Sequence, residues 1–280
     1  MDIIDVETHL LHPASWDASY ARGNDEFVQK YIHEHPDFDQ LTGRMGVEAL
    51  LASMDANGIQ RAIVIGLAWR DSARQQENND YVAESARAHP ERLAGLYVPH
   101  VANPTEAAQQ LEQLDASVFV GAKLIPKWQG IQMDDPALDP MLDVLVAQGL
   151  PLMVHVDHVT QSLDGDTPFR LLALARRRPD LTILAAHLGG LLCLYRLLPT
   201  IREELRNMYF VTSVSATMEM VAFAAQVDPH NLLFGTDHPF NHCHDQTTPL
   251  DALRALGLSE EHQRMILAGN ARRLFGWEEG

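Results

Sequence analysis

Cysteine is scarce in this chain of 280 residues: Cys193 and Cys243 are the only two, too few for a disulfide framework. Positive charge is short as well. Against 21 Lys and Arg stand 38 Asp and Glu, a formal net charge of −17, which excludes a basic nucleic-acid-binding face and docking on an anionic membrane. The acidity reads as a solubility feature. No uncharged apolar run approaches the ~20 residues of a membrane span. No basic segment followed by a long apolar one stands at the N-terminus, so no secretory signal is expected and the cytoplasm is the default location. Low-complexity tracts and composition shifts are missing too, and a single domain over residues 1–280 is the expectation.

What is present is a hydrophobic fraction of 46%, enough for a large core, in a length near the ~250 residues of one eight-stranded α/β barrel. Short β-rich runs at 2–6, 61–66, 93–99, 118–126, 150–156, 181–188, 208–213 and 231–236 alternate with segments of helical spacing. The helical segments are 47–57, 79–88, 105–114, 138–148, 168–178, 193–206, 218–226 and 260–269. Parallel neighbours need crossover connections, so this alternation predicts a (β/α)8 TIM barrel. Asn57-Gly58 and Gly149 end helices just before strands, and His89-Pro90 and Arg178-Pro179 stop helices in the same way. One stretch departs from the rule. From Leu10 to Met45 the chain is far longer than the ~2–6 residues of an ordinary connection, and it carries Trp16, Tyr20, Phe27, Tyr31, His33 and His35. This long β1–α1 loop is read as a lid or pocket wall, with a surface excursion or oligomer contact as the plainer alternative.

Residues of metal-ligand type stand at the ends of the apolar runs. Glu7 and His9 close the first and, being two apart on a strand, point to one side. His155 follows Leu152-Met153-Val154, His187 follows Ile183-Leu184-Ala185-Ala186, and Asp237 follows Phe234-Gly235-Thr236. Singly, each has a plain reading as a cap, a surface residue or a satisfied core histidine. Repeated at strand C-termini, where barrel loops converge, the five point to a metal-dependent enzyme. Lys123 ends the fourth strand and pairs with an anion, either a substrate carboxylate or a neighbouring acid; its plain reading is a structural salt bridge. His158 and His238 fall after strands five and eight, near the expected mouth. Trp128 and Trp69 either line the pocket or pack against loops. His242-Cys243-His244 is too weak a spacing for a second metal site and is read as solvated loop.

The chain resembles the amidohydrolase superfamily, in its amidohydrolase-related branch with the aminocarboxymuconate-semialdehyde decarboxylase-like enzymes. The resemblance rests on Ile3-Ile4-Asp5-x-Glu7-x-His9, Gly121-Ala122-Lys123-Leu124-Ile125-Pro126 and Pro151-Leu152-Met153-Val154-His155. It continues in Ala186-His187-Leu188-Gly189-Gly190, Gly235-Thr236-Asp237-His238-Pro239 and Asn270-Ala271-Arg272-Arg273-Leu274-Phe275-Gly276. It implies that Glu7, His9, His155 and Asp237 bind one divalent metal, with His187 as acid/base or electrophile beside it; by their own positions Asp237 is also expected to be catalytic, and Lys123, Trp128, His158 and His238 to lie near the substrate. The usual first-strand motif is His-x-His; Glu7 in place of the first His resembles non-oxidative aromatic-acid decarboxylases such as γ-resorcylate decarboxylase. Two carboxylates make the site harder, so Mn2+ stands beside Zn2+ as the expected ion.

The leading expectation is hydrolysis of a small ester, lactone or amide through a metal-activated water, with Asp237 moving the proton and His187 polarising the carbonyl. The alternative is metal-dependent decarboxylation of a small carboxylic acid, aromatic acids included, which Glu7 favours and the short chain disfavours. A catalytically silent binding barrel is the third. The expected partner beyond a small-molecule substrate is a second copy in a homodimer.

Overall fold

The computed structural model describes residues 1–17, 32–157, 167–214 and 218–278. Among them eight parallel strands follow one another in sequence order: β1 (Ile4–His9), β2 (Arg61–Ile65), β3 (Leu93–Tyr97), β4 (Phe119–Leu124), β5 (Leu152–Val154), β6 (Ile183–Ala185), β7 (Met208–Val211) and β8 (Leu232–Leu233). Each is followed by a helix: α1 (Val47–Asn57), α2 (Ser72–Ala88), α3 (Pro104–Glu112), α4 (Asp139–Gln148), α5 (Pro168–Arg177), α6 (Pro199–Glu204), α7 (Glu219–Val227) and α8 (Thr247–Ala255). The last strand returns to the first. Val6 N–H donates to Phe234 O at 2.9 Å, Asp237 N–H to Glu7 O at 2.8 Å and His9 N–H to His238 O at 2.7 Å. The sheet therefore closes into the (β/α)8 barrel that the alternation predicted.

Two apolar layers hold it. Ile4, Val6, Ile63, Ile65, Leu96, Met153, Leu184, Val211 and Leu233 fill the barrel interior. The opposite strand faces, with Ala62, Val64, Leu152, Val154, Ile183 and Phe210, pack against helix residues such as Leu50, Val82, Leu111, Leu142 and Leu174. Helix ends follow local chemistry. Asp71 caps α2 by accepting Arg74 N–H at 3.0 Å, Thr167 caps α5 ahead of Pro168, and Gly58 and Gly149 end α1 and α4 at positive φ. The expected helix over 193–206 is divided. A 3-10 segment runs Leu192–Leu197, and Pro199 forces Leu198 into an extended conformation before α6. No helix was expected over 247–255, where α8 lies and buries Pro249, Leu250 and Leu253.

Beyond α8, Glu260–Arg264, a π-turn at Met265–Gly269 and Asn270–Phe275 run on without a break. Buried Asn270 donates to Pro229 O and Leu232 O, both at 2.7 Å, and so fastens this terminus to the start of β8. Within the 10–45 stretch, Leu11, Ile32, Leu41 and Met45 pack with Leu67 and Trp69 after β2, and Trp16, Phe38, Trp128 and Phe240 border them. That cluster sits on the C-terminal side of the strands, consistent with a pocket wall; Tyr20, Phe27 and Tyr31 lie outside the described residues. Among the described residues no helix is long and apolar enough to cross a membrane.

Candidate metal centre

A bulge sets the geometry of β1. Its pairing with β2 shifts register between Asp5 and Thr8, so Val6 stays in the barrel interior while Glu7 and His9 also face inward at the mouth. Opposite them, the chain after β8 comes very close. A Cβ on Gly235 would collide with Val211 Cγ1 and lie 3.2 Å from Glu7 Cβ, so only glycine lets this segment approach. Two residues on, Asp237 takes a positive φ of 59°, an unfavourable backbone for a non-glycine residue, which turns its carboxylate back to His9. His9 Nε2 is 3.1 Å from Asp237 Oδ1. Ligand atoms of Glu7, His9 and Asp237 all lie within 4.8 Å of one another.

Glu7 is embedded in a string of polar contacts. Lys123 Nζ donates to its Oε1 at 2.6 Å, and Ser213 Oγ donates to its Oε2 at 2.6 Å; both side chains of the Lys–Glu pair are 1% exposed. Burial would raise the Glu7 carboxyl, but the Lys123 ammonium, with help from the Ser213 hydroxyl, overrides that and holds it well below the usual carboxylate range. Ser213 Oγ in turn accepts His187 N–H at 3.1 Å, and His187 Nδ1 donates to Ser213 O at 2.6 Å. This leaves His187 Nε2 as an acceptor 3.1 Å from His155 Nδ1. The other nitrogen of His155, Nε2, is 3.1 Å from Asp157 Oδ1, and Lys127 Nζ is 3.6 Å from Asp157 Oδ2. Burial raises Asp157, yet His155 and Lys127 bring its carboxyl below the ordinary value. His187 begins a run of positive-φ residues that ends at Leu191, and Gly190 fits because a Cβ there would press on Asp157 O.

The residues singled out in the sequence divide accordingly. Glu7, His9 and Asp237 come together. His155 lies next to His187 and spends both ring nitrogens on side chains rather than joining the triad. Lys123 is bonded to the neighbouring acid, one of the two partners left open for it. His238 does lie at the mouth, its carbonyl bonded to His9 N–H, but its side chain is buried; burial, then the charge of Arg44, pushes its imidazole down to about 4. Trp128 packs beside both the barrel interior and the Leu11–Trp69 cluster. His158 lies outside the described residues. His244, read as solvated loop, is buried. Ser213 and Asp157 were not anticipated, although Ser213 ends the β7 run as His155 ends the β5 run, and that position was the available signal.

The donor set suits a divalent cation. Two carboxylates face one ammonium, so one negative charge in a largely buried space has only imidazole neighbours, and His9 Nδ1 is buried without a partner among the described residues. One imidazole and two carboxylates match the ligand preferences of manganese or zinc.

A closed β/α barrel with carboxylate and histidine side chains gathered at the C-terminal mouth defines a class of barrel enzymes. Residues 4–277 match the family model described as amidohydrolase, and the chain belongs to that family. Among curated proteins none matches the sequence. Solved structures with the same fold include 5-carboxyvanillate decarboxylase from Sphingomonas paucimobilis, with TM-score 0.81 and 20% identity over 98% of this chain and 99% of that one. A dihydroxybenzoic acid decarboxylase from Polaromonas sp. JS666, with bound manganese and the inhibitor 2-nitroresorcinol, gives TM-score 0.79 and 21% identity over 100% of this chain and 98% of that one. A probable 2-pyrone-4,6-dicarboxylic acid hydrolase from Acinetobacter baumannii gives 0.68 and 17% over 99% and 100%. Both decarboxylases align over nearly their full length.

Proposed function

We propose that this protein is a metal-dependent carboxy-lyase acting on a small aromatic acid that bears an ortho oxygen substituent. The observation that carries the reading is the buried Lys123–Glu7 pair beside His9 and Asp237. Lys123 cancels one carboxylate, so a dication on the remaining set leaves about one net positive charge, matched to a monoanionic carboxylate rather than to a neutral ester. The likeness to decarboxylases of carboxyvanillate and dihydroxybenzoic acid supports the same choice.

When bound by Glu7, His9 and Asp237, with His155 as fourth donor in exchange for Asp157, Mn2+ or Zn2+ would supply the Lewis-acid charge that anchors an anionic substrate. Asp237, 17% exposed and oriented by His9, takes the proton of the substrate's ortho hydroxyl in this scheme. As the bond between ring carbon and carboxylate breaks, the carbon takes that proton, CO2 leaves, and Asp237 becomes a carboxylate. His187, fixed through Nδ1 to Ser213 O, directs Nε2 along the mouth and orients the substrate oxygen. The hydrophobic wall of Leu67, Trp69, Trp128 and Phe240 faces the ring and excludes water.

Hydrolysis is the second reading, favoured by the same Asp237–His9 pair, which equally serves to take a proton from water, and by the likeness to the pyrone hydrolase. CO2 release from ortho-hydroxybenzoates, measured beside acid release from lactones, separates the two. Asp237→Asn is expected to retain the fold and lower turnover by about 100-fold or more; full activity in that variant refutes the assignment. Acid release from lactones without CO2 release selects hydrolysis. Exposed Phe169, Tyr195, Leu197, Leu198 and Phe223 support a homodimer, and the free Cys193 and Cys243 a cytoplasmic location, as parts of the same reading.

A further inference from the structure

A second group of ligand-type side chains lies away from the triad. His35 and Asp37, from the excursion after β1, meet His244, from the loop after β8, and their ligand atoms all lie within 4.8 Å of one another. His244 Nε2 is 3.4 Å from Asp37 Oδ2, and His35 Nδ1 is 4.0 Å from the same oxygen. Two ligand atoms on one tetrahedral zinc, each at ~2.0–2.1 Å, are about 3.3 Å apart. The spacing between His244 and Asp37 already matches. The imidazole rings of His35 and His244 stand at 84° with centroids 5.8 Å apart, near neighbours presenting different edges.

The hydrogen bonding of His244 points the same way. Its Nδ1 donates to Pro239 O at 2.9 Å, which leaves Nε2 as a lone pair facing a carboxylate oxygen. Two acceptors face each other there unless a cation or a proton lies between them. The bond from Nδ1 to a backbone carbonyl is also the usual way a metal-bound histidine is oriented. Backbone conformation supports this placement: His244 is held at φ 53°, its N–H donates to Asn241 O at 3.0 Å, and Arg44 donates to its carbonyl. His35 Nδ1 accepts Asp37 N–H at 3.1 Å, so ligation by His35 exchanges that bond or uses its other nitrogen.

We propose that His35, Asp37 and His244 form a second metal site, which takes a transition-metal dication of the zinc type and ties the excursion after β1 to the loop after β8 across the barrel mouth. Two imidazoles and one carboxylate leave a coordination position for water or an exogenous ligand. Neither hydrolysis nor decarboxylation at the triad requires this site.

The test is zinc stoichiometry of chelator-stripped protein, titrated against a chromophoric chelator. The wild-type chain is expected to bind two equivalents, with Asp37→Asn and His244→Asn each losing one and Asp237→Asn losing the other. Asp37 is 44% exposed, so its replacement keeps the test valid if the buried His244 variant does not fold. Cobalt in a Glu7→Ala/Asp237→Ala background should give visible ligand-field bands that disappear when Asp37→Asn is added. Asp37→Asn protein that binds as much zinc as wild type overturns the proposal. One wild-type equivalent, lost with Asp237→Asn and kept with Asp37→Asn, overturns it while leaving the triad intact. One equivalent lost only with Asp37→Asn supports it and removes the triad instead.

Discussion

Replacing Lys123 by methionine keeps the apolar stem and removes the charge that compensates Glu7. Both side chains are 1% exposed and the bond is 2.6 Å long, so water cannot take the place of the ammonium. Breaking a buried pair by deleting one member costs about 3–5 kcal/mol, because the remaining charge is left desolvated. Ser213 still donates to Glu7, which places the expected loss nearer the lower figure. The sign of the pH dependence follows from the carboxyl. In the wild type Glu7 is held below its ordinary value of 4.5, so its contribution is present above that pH and is lost as pH falls through the depressed value. Without Lys123, burial dominates and raises the carboxyl, so the variant tolerates neutral Glu7 in acid and is penalised as pH rises. Urea unfolding of chelated protein should therefore give a difference from wild type that grows between about pH 5 and about pH 8. Added Mn2+ or Zn2+ should shrink it, since a cation on Glu7 replaces the missing charge. A difference below about 1 kcal/mol that does not change with pH refutes the reasoning.

Two further perturbations address the frame of the site. Asp5 is fully buried and accepts from Thr236 N and Oγ1 and from Gln246 Nε2, and burial pushes its carboxyl from 3.8 up to about 7 despite these donors. The folded state then binds more protons than the unfolded chain between those values, so this group lowers stability by about 4 kcal/mol as pH rises through that window. Asp5→Asn should flatten the stability–pH profile between about pH 5 and about pH 7; parallel profiles would count against it. Gly235→Ala puts a methyl against Val211 Cγ1 and Glu7 Cβ and should cost about 1–3 kcal/mol together with metal content. A wild-type melting temperature with full metal would rule out that close approach.

Much of the fold was legible because it depends on local pattern. Apolar runs of strand length, punctuated by Gly58, Gly149 and prolines, determine where β/α units begin and end, and α1 is found over the expected residues. Where Pro199 interrupts a run of helical spacing, the pattern misleads, because the proline constrains Leu198 more strongly than side-chain periodicity favours a helix. Glu7 and His9 were readable as a pair from strand alternation, but the bulge that brings Glu7 inward beside Val6 depends on pairing with β2 and leaves no mark in the spacing.

The sequence by itself determined the barrel and the residue types at its strand ends, since both follow from periodicities of a few residues. Only the tertiary structure decided who meets whom. Lys123 and Glu7 are separated by 116 residues, Ser213 and Glu7 by 206, and His244 and Asp37 by 207. Those contacts exist because the closed barrel brings distant strand ends onto one rim, a constraint set by the number and tilt of the strands and not by any local run of residues.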